Sequence, residues 1–394
     1  MPAAPRRRLL RFGPLAEPVR FTDCEELIEP LLSIFHGWDI ADVSDSPAAA
    51  PAMRLARTRD GYRRVSKWRN TSGLAREKIR ATVVEAICGF HFEFIDWYAE
   101  EHDQQLHIHG AAAEFDDGLV VFPAVQRAGK STLSVQLASQ GHRLFCDDVL
   151  PIEIESGLGI ALGIQPRLRP PIPADAGEAF HEFVAARQGP TRRNRMYVQL
   201  RADEIAEFGE TAPIIGLVLL DRTTEREAGL TPISEAEALE TLILQNFARE
   251  APPADILETL HRVVAGARCV RLTFGNVVQA GQLLEDAFRS SGTARRTGEV
   301  RTTNSVVSPA TPYDRGAGVS LREIDGSLFL AQADTGAVFK LNETGTALWK
   351  LMASGTSVED AVTVFLTAFP DLEPEEMTEE IHELYEDLLD AQLF

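Results

Sequence analysis

The segment A-V-Q-R-A-G-K-S-T at residues 124–132 constrains this chain more than any other. It follows a short apolar strand at 119–122 and precedes a helix that ends near Gly141. The free N–H groups at the start of a helix attract an anion, a lysine there adds a positive charge, and a serine adds a hydroxyl for Mg²⁺. The order of strand, loop and helix therefore predicts a phosphate-binding loop and ATP as its ligand. The predicted nucleotide-binding residues are Ala124, Val125, Gln126, Arg127, Ala128, Gly129, Lys130, Ser131 and Thr132.

Two positions depart from the pattern G-x-x-x-x-G-K-[ST]. Ala124 replaces the first glycine, and Arg127 stands where many such loops have another glycine. Because alanine lacks the backbone freedom of glycine, we expect a narrower loop. Arg127 either obstructs the loop or adds one more contact to phosphate.

Two consecutive aspartates follow at a spacing that suits the same site. Asp147 and Asp148 come 17 and 18 residues after Lys130, at the end of a short predicted strand. Adjacent strand residues point to opposite faces, so the two carboxylates are able to do different work. In phosphoryl transfer, one carboxylate holds Mg²⁺ and another takes the proton from the attacking hydroxyl. An aspartate pair alone is more often a turn or a helix cap, but the preceding loop favours the functional interpretation.

The chain is strongly acidic, and its charge is unevenly distributed. The formal net charge is −20, and residues 319–394 contain sixteen acidic and three basic side chains. This charge excludes nonspecific nucleic-acid binding, because contacts with phosphates need basic surfaces. The acidic end indicates either a solvated helix face or a surface that attracts a basic partner.

Hydropathy and cysteine content predict a cytoplasmic protein with no membrane partner. No apolar run reaches the roughly 18–20 residues of a membrane span, and no apolar stretch typical of a signal peptide follows the basic N-terminus. The four cysteines are scattered without a C-x-x-C pair, as expected for reduced thiols. Association into homo-oligomers stays open.

Turn and capping residues divide the chain into four segments. Residues 1–100 are predicted as an α+β region, with a hairpin at Asp60-Gly61 and one long helix from Ser72 to about residue 101. Residues 101–289 alternate strands and helices, which indicates an α/β domain. Residues 290–318 are predicted as a flexible linker. Residues 319–394 form three short strands and then three helices, a pattern typical of a winged-helix-like α+β module.

Three motifs together resemble the HPr kinase/phosphorylase group, which is related to the phosphoenolpyruvate carboxykinases. They are H-I-H-G at 107–110, the loop at 124–132 and G-H-R-L-F-C-D-D at 141–148. The similarity covers roughly residues 100–290. It implies an HPr kinase-like fold for this domain and a kinase activity that uses ATP and Mg²⁺.

The resemblance also implies a role for each matching residue. Asp148 is expected to deprotonate the acceptor hydroxyl, Lys130 to contact phosphate, and His109 to lie near the transferred phosphate. Ser131 is expected to bind Mg²⁺, and we assign Asp147 as the second metal ligand. Five arginines are candidates for further phosphate contacts, with ordinary surface charge as the alternative: Arg167, Arg169, Arg192, Arg193 and Arg195.

The stretch F-K-L-N-E-T-G-T-A-L-W-K-L-M at 339–352, with the capped helices after it, resembles the PqqD-like peptide chaperones, or precursor-peptide recognition elements. In that family a leader peptide adds a strand to the three-stranded sheet, between the third strand and the last helix. The resemblance implies a leader peptide as partner, and the acidic groove predicts that this leader has basic residues. The expected peptide-binding residues are Val338, Phe339, Lys340, Leu341, Glu380, Glu383, Leu384 and Asp387.

The sequence therefore predicts an ATP- and Mg²⁺-dependent kinase that phosphorylates a Ser or Thr hydroxyl of a ribosomally synthesised precursor peptide. The C-terminal module is expected to capture the leader of that peptide. Two alternatives stay open: a kinase for hydroxyl groups of small molecules, and a non-catalytic nucleotide-binding scaffold of a peptide-modification complex.

Overall fold

The chain forms two compact units that alternate along the sequence. The computed structural model describes residues 5–44, 50–69, 75–123, 128–223, 226–248, 251–289, 318–353, 356–368 and 373–393. The first unit contains Met1–Pro232, Gln245–Ala248 and Val270–Gly292, and the second contains Ile233–Leu244, Arg249–Cys269 and Thr293–Phe394. Apart from Gly318, the predicted linker lies outside the described residues. No helix in these ranges is both long and apolar enough to cross a membrane.

The first unit begins with a six-stranded sheet in the order β3-β1-β2-β4-β5-β6. Its elements are β1 (Arg7–Phe12), β2 (Val19–Thr22), α1 (Glu25–Leu32), β3 (Ile40–Asp42), β4 (Met53–Thr58), β5 (Gly61–Arg69), β6 (Ala75–Arg80) and α2 (Val83–Glu100). The hairpin predicted at Asp60-Gly61 is present between β4 and β5. Helix α2 is fixed to β5 by a buried carboxylate, because Glu93 accepts hydrogen bonds from Arg64 and Ser66, both at 2.8 Å.

The prediction of one helix from Ser72 to about residue 101 is wrong in its first part. Residues 75–80 form β6, which pairs with β5, and α2 begins only after Thr82. The Thr82 hydroxyl accepts a hydrogen bond from the Glu85 N–H at 3.4 Å, and the Glu85 carboxylate accepts one from the Thr82 N–H at 3.2 Å. This capping box sets the start of the helix more strongly than the apolar spacing before it. Ser72, the predicted cap, lies outside the described residues.

A nine-stranded sheet forms the centre of the first unit, in the order β15-β11-β10-β7-β8-β16-β18-β17 with β9 beside β7. Its strands are β7 (Gln105–Phe115), β8 (Gly118–Pro123), β9 (Leu144–Cys146), β10 (Val149–Glu153), β11 (Gly159–Ile160), β15 (Thr211–Ala212), β16 (Ile214–Arg222), β17 (Gly229–Pro232) and β18 (Arg268–Phe274). Strands β8 and β16 are parallel, so their carboxyl ends lie at the same edge of the sheet. Ligands of open α/β sheets bind at such an edge.

Helices and a small sheet complete the first unit around this centre. They are α3 (Lys130–Ser139), α4 (Glu178–Ala185), α7 (Val277–Phe288) and a three-stranded sheet of β12 (Arg167–Leu168), β14 (Arg195–Val198) and β13 (Gln188–Arg192). Helix α3 packs against β7, α4 and α7, so the start of α3 is fixed at the end of β8. The α/β class predicted from the alternation of strands and helices is confirmed.

The second unit contains the predicted C-terminal module and two helices that come earlier in the sequence. The module is a sheet in the order β19-β20-β21 followed by three helices, as predicted. The elements of the unit are α5 (Glu235–Gln245, which continues one residue past its boundary), α6 (Pro253–Gly266), β19 (Val319–Ile324), β20 (Ser327–Gln332), β21 (Ala337–Leu341), α8 (Glu343–Ala353), α9 (Val358–Ala368) and α10 (Pro374–Asp390).

Both faces of the C-terminal sheet are covered. Leu328 and Leu330 of β20 face a core formed with α8, α9 and α10. The alternate residues Phe329 and Ala331 point to the other face and are also buried, and α6 packs against β20 and β21. Residues before β18 thus supply part of the packing of the module.

Candidate active site

A glycine in left-handed conformation begins the helix of the predicted phosphate loop. Gly129 has φ +97° and is the N-cap of α3. A side chain there would be strained by this angle and would meet Phe274 Cζ at 3.5 Å and Arg222 Cδ at 3.7 Å. Ala128, Gly129, Ser131 and Thr132 are half-buried, and Lys130 is buried. The predicted contacts of Ala124, Val125, Gln126 and Arg127 lie outside the described residues.

At this first turn the His109 ring lies between two charged side chains, Lys130 on one side and Asp148 on the other. Lys130 Nζ lies 3.1 Å from His109 Nε2, and His109 Nδ1 lies 3.4 Å from Asp148 Oδ1. An ammonium group only donates hydrogen bonds, so Nε2 accepts and the ring proton is on Nδ1, facing the carboxylate. The structure thus brings together the three residues that the sequence assigned to catalysis.

Strand pairing explains why His109 and Asp148 meet. Strands β7 and β10 are antiparallel with His109 opposite Val149, and the Gly110 N–H donates a hydrogen bond to the Asp148 carbonyl at 3.1 Å. Burial lowers the pKa of His109, and the Lys130 charge lowers it further. Burial also lowers the pKa of Lys130, against the opposing effect of Asp148. Both lowered pKa values are consistent with a neutral His109 imidazole between the Lys130 ammonium group and the Asp148 carboxylate.

Asp147 and Asp148 form a bend between β9 and β10 and are not part of a strand, so the strand alternation expected from the sequence does not apply to them. The Asp147 side chain is 9% exposed, and its Oδ2 accepts a hydrogen bond from the Arg167 N–H at 3.0 Å. Burial raises the pKa of Asp147 to about 6, although hydrogen bonds from Arg167 and the Ser131 hydroxyl lower it. Oδ1 is buried and has no hydrogen-bond partner within the described residues.

These residues fit a magnesium ion. Mg²⁺ prefers oxygen ligands, and it usually binds one or two carboxylates, phosphate oxygens and water. Ser131 and Asp147 supply a hydroxyl and an unpaired carboxylate oxygen next to the predicted phosphate position. A cation there would also offset the cost of burying the Asp147 charge. Among the described residues, no group of three or more His, Cys, Asp or Glu side chains offers an all-protein metal site.

Of the five candidate arginines, Arg167 lies in this site. Its backbone binds Asp147, and its Nη2 atom lies 3.9 Å from Asp148 Oδ2. Arg169 is close enough to Lys130 to lower the pKa of the ammonium group. Arg192 instead pairs with Glu85 at 2.7 Å, at the start of α2. Arg193 is exposed and Arg195 is half-buried on the same hairpin.

Sequence reasoning missed three residues around the site. Arg222 ends β16, the parallel neighbour of β8, and its side chain lies against Gly129. Its position after a buried apolar strand is a signal that could have identified it. Tyr197 and His91 lie behind Arg167, and their hydroxyl and Nδ1 atoms are 3.0 Å apart. These two come from distant segments, and nothing in the local sequence marks them.

The C-terminal module matches a protein family. Residues 328–393 match the family described as Coenzyme PQQ synthesis protein D (PqqD). This part of the chain is a PqqD-like domain. The resemblance predicted from residues 339–352 is confirmed.

Two solved structures are similar to parts of the chain. TbiB1 in complex with the TbiA(beta) leader peptide is 20% identical with a TM-score of 0.20, and the match covers 21% of this chain and 93% of that chain. The HPr(Ser) kinase/phosphatase from Coxiella burnetii is 14% identical with a TM-score of 0.24, and the match covers 46% of this chain and 95% of that chain. None of the curated proteins compared with the chain matches it.

The PqqD-like domain presents an edge strand and a stripe of acidic side chains. Strand β21 pairs with β20 and, in the described part of the chain, with no other strand. On α10, Glu380, Glu383 and Asp387 are exposed and recur at helical spacing. Leu341 is buried, while Val338, Phe339 and Leu384 are half-buried.

One predicted peptide contact already has a partner inside the domain's own unit. The Lys340 amino group forms an ion pair with Glu240 of α5 at 2.7 Å. Its side chain therefore points to the face of the sheet covered by α5 and α6. The backbone of Lys340 still belongs to the edge strand.

Proposed function

We propose that this protein is a kinase that transfers the γ-phosphate of ATP to a Ser or Thr hydroxyl of a ribosomally synthesised precursor peptide. The observation that supports this best is the contact series of Lys130, His109 and Asp148 at the first turn of α3. The unpaired Asp147 oxygen and the Ser131 hydroxyl lie in the same place. The residues that we propose to bind phosphate, to hold the metal and to act as base lie within one small region.

The phosphate groups of ATP would bind at the start of α3. Backbone N–H groups of the first helical turn point at this position and have no partner within the helix. Lys130 adds a full positive charge on the side of His109 and Asp148. Ser131 and Asp147 would hold Mg²⁺, which when bound neutralises negative charge on the phosphates. These residues stabilise the charge that develops as the terminal phosphate leaves ADP.

Asp148 would act on the acceptor. Its side chain is 33% exposed, so a hydroxyl group is able to approach it. The hydroxyl oxygen forms a bond to the γ-phosphorus, the bond from that phosphorus to the β,γ-bridging oxygen breaks, and ADP leaves. The hydroxyl proton passes to Asp148, and His109 and Arg167 keep the carboxylate oriented during this step.

The PqqD-like domain supports a peptide as the substrate. A leader peptide would pair with the unpaired edge of β21, where main-chain hydrogen bonds give affinity and side-chain contacts give selectivity. The acidic stripe on α10 would favour a leader with Lys or Arg. Because leader and kinase sites belong to one chain, capture raises the local concentration of the core peptide to roughly the millimolar range.

The test is phosphate transfer to a precursor peptide encoded beside this gene. The full chain is incubated with that peptide, ATP and Mg²⁺, and the intact peptide mass is measured. We expect a gain of one phosphate that is lost in Asp148→Asn and kept in Asp286→Asn, a variant with the same charge change at an exposed position on α7. An unchanged peptide mass despite confirmed leader binding would refute the proposal.

Two other outcomes would identify the alternatives. ATP turnover that requires a small hydroxy compound and does not respond to the peptide would indicate a small-molecule kinase. Tight ATP binding without transfer to any hydroxyl would indicate a nucleotide-binding scaffold.

A further inference from the structure

We propose that Tyr197, together with His91, is a positioning residue that directs the guanidinium group of Arg167 toward Asp148. The inference rests on the proposed function, in which Asp148 takes the acceptor proton. It also assigns a catalytic purpose to α2 of the N-terminal region, for which the sequence indicated no role.

Strand register places Tyr197 beside Arg167. Strands β12 and β14 are antiparallel, with Arg167 directly opposite Tyr197. Opposite residues of such a pair project to the same face of the sheet. The two side chains interact there, and the Tyr197 ring is fully buried. The far end of the Arg167 side chain, Nη2, lies 3.9 Å from Asp148 Oδ2.

The hydrogen-bonding capacity of each group fixes the direction of the contacts. A guanidinium group only donates, so the Tyr197 oxygen accepts from Arg167. The single phenolic proton of Tyr197 is then directed to His91 Nδ1, 3.0 Å away, because the sulfur of the neighbouring Cys88 is a weaker acceptor than an imidazole nitrogen. This requires a neutral His91 with its ring proton on Nε2, and burial lowers the pKa of His91 to about 4. The order is Arg167 to Tyr197 to His91: Tyr197 and His91 are buried behind the candidate site, and the partly buried Arg167 connects them to it.

This arrangement limits where the Arg167 guanidinium group is able to lie. An arginine side chain has many rotamers, and its distance of 3.9 Å from Asp148 is too long for a hydrogen bond to hold it there. The contact with the Tyr197 oxygen restricts the guanidinium group from the other side. Phenylalanine would fill the same space but could not accept a hydrogen bond, so Arg167 would lose this restraint.

The test is steady-state kinetics of phosphate transfer with the full chain. We expect Tyr197→Phe to lower kcat by about ten- to a hundredfold, the effect of one hydrogen bond to a charged group, with little change in KM for ATP. Tyr62→Phe is the matched control, because Tyr62 is buried like Tyr197. Its hydroxyl donates a hydrogen bond to a carboxylate outside the candidate site, that of Glu26, at 2.7 Å. The kcat of this control should stay within about twofold of the wild type.

The double variant separates positioning from a general loss of structure. If Tyr197 acts through Arg167, the Tyr197→Phe substitution should have almost no further effect on kcat in an Arg167→Lys background. Additive losses in the double variant would overturn the inference, as would a wild-type kcat in Tyr197→Phe.

A second measurement decides the matter if the wild type transfers no phosphate, an outcome that would refute the proposed function itself. A crystal structure of Tyr197→Phe is expected to show the Arg167 guanidinium group turned away from Asp148. If Nη2 stays within 4.0 Å of Asp148 Oδ2 in that variant, Tyr197 does not position Arg167.

Discussion

His109 Nδ1 lies 3.4 Å from Asp148 Oδ1, and Lys130 Nζ lies 3.1 Å from the other nitrogen of the same ring. The imidazole therefore separates the ammonium group from the carboxylate. A direct Lys130–Asp148 ion pair would occupy the carboxylate that we propose as the base. His109 satisfies both groups while leaving one side of Asp148 open to an acceptor.

Replacement of His109 should slow transfer more than it weakens ATP binding. In His109→Ala, Lys130 is able to move toward Asp148, so the carboxylate is engaged in the ion pair. We expect kcat to fall by about 10²-fold, within the range for a group that supports acid–base catalysis, and the Kd of ATP to change by less than about threefold. Transfer rates and calorimetric ATP titrations give the two values, and a larger change in Kd than in kcat would contradict this role.

Asp147 should set the requirement for Mg²⁺. Its buried oxygen has no protein partner among the described residues, and Asp147→Asn replaces a charged ligand by a neutral one. We expect the Mg²⁺ concentration for half-maximal transfer to rise by about tenfold or more, and removal of Mg²⁺ with a chelator to abolish transfer. Asp221→Asn is the control, because Asp221 pairs with Arg226 and not with the residues of this site. Equal Mg²⁺ curves for the wild type and Asp147→Asn would show that the ion binds elsewhere.

Arg222 is expected to contribute to nucleotide binding. Its side chain lies against Gly129 at the edge where β8 and β16 end, and it has no carboxylate partner within the described residues. Arg222→Gln should weaken binding of a non-hydrolysable ATP analogue by about tenfold, the effect of one charge-assisted hydrogen bond. Arg226→Gln removes an arginine that already pairs with Asp221 at 3.0 Å and should leave the Kd unchanged. Similar affinities of the two variants would exclude a specific contact.

Two buried histidines should make the protein less stable in mild acid. Burial lowers the pKa values of His91 and His107 to about 4, from the usual value near 6.5. Between these values the unfolded chain binds more protons than the folded chain, so this stability is present above pH 6.5 and is lost as the pH falls toward 4. Between pH 7 and pH 5, each histidine should lower the free energy of unfolding by about 2 kcal/mol.

His107 offers the clearer variant for this measurement, because neither ring nitrogen has a hydrogen-bond partner in the described part of the chain. The free energy of unfolding is measured with urea at pH 7 and at pH 5. Between these pH values it should fall by about 2 kcal/mol less in His107→Leu than in the wild type. An identical loss in both proteins would mean that His107 is accessible to protons in the folded state.

Neutralising the acidic stripe on α10 should weaken leader binding. The variant Glu380→Gln, Glu383→Gln and Asp387→Asn removes three exposed charges from one side of the helix. A basic leader should bind it about tenfold more weakly at low salt, and the difference should shrink as ionic strength rises. Fluorescence anisotropy with a labelled leader peptide measures both effects.

The control removes the same number of charges on a neighbouring stripe of α10: Glu375→Gln, Glu379→Gln and Glu386→Gln. If this control variant binds the leader about as tightly as the wild type, the position of the acidic residues determines leader binding, and not the net charge alone. Equal losses in the two variants would contradict a local groove.

The contacts of the candidate site could be predicted where the signal is local and not where they depend on register. Gly129 to Thr132 and the two aspartates are contiguous motifs, and the structure places Lys130, His109 and Asp148 in contact as those motifs require. Arg167, Tyr197 and His91 meet only because β12 pairs with β14 and α2 packs beside them. No short stretch of sequence specifies such long-range pairing.

The same distinction explains the errors and omissions in the fold. The capping box at Thr82 is a local signal that should have outweighed the apolar spacing before it. The start of α5 has a local signal, the Ser234 hydroxyl that accepts a hydrogen bond from the Glu237 N–H. The sheet that α6 covers has no such signal, because it depends on tertiary packing between segments far apart in the sequence.

The packing of α6 on the PqqD-like sheet has a practical consequence for the design of truncated fragments of this chain. The helices that cover Phe329 and Ala331 are encoded between β17 and β18, which belong to the other unit. A fragment that starts at residue 319 would leave that sheet face bare, and a fragment that ends at residue 289 would retain α5 and α6 without their sheet. The two units are interleaved in the gene, so truncation at the linker separates neither of them cleanly.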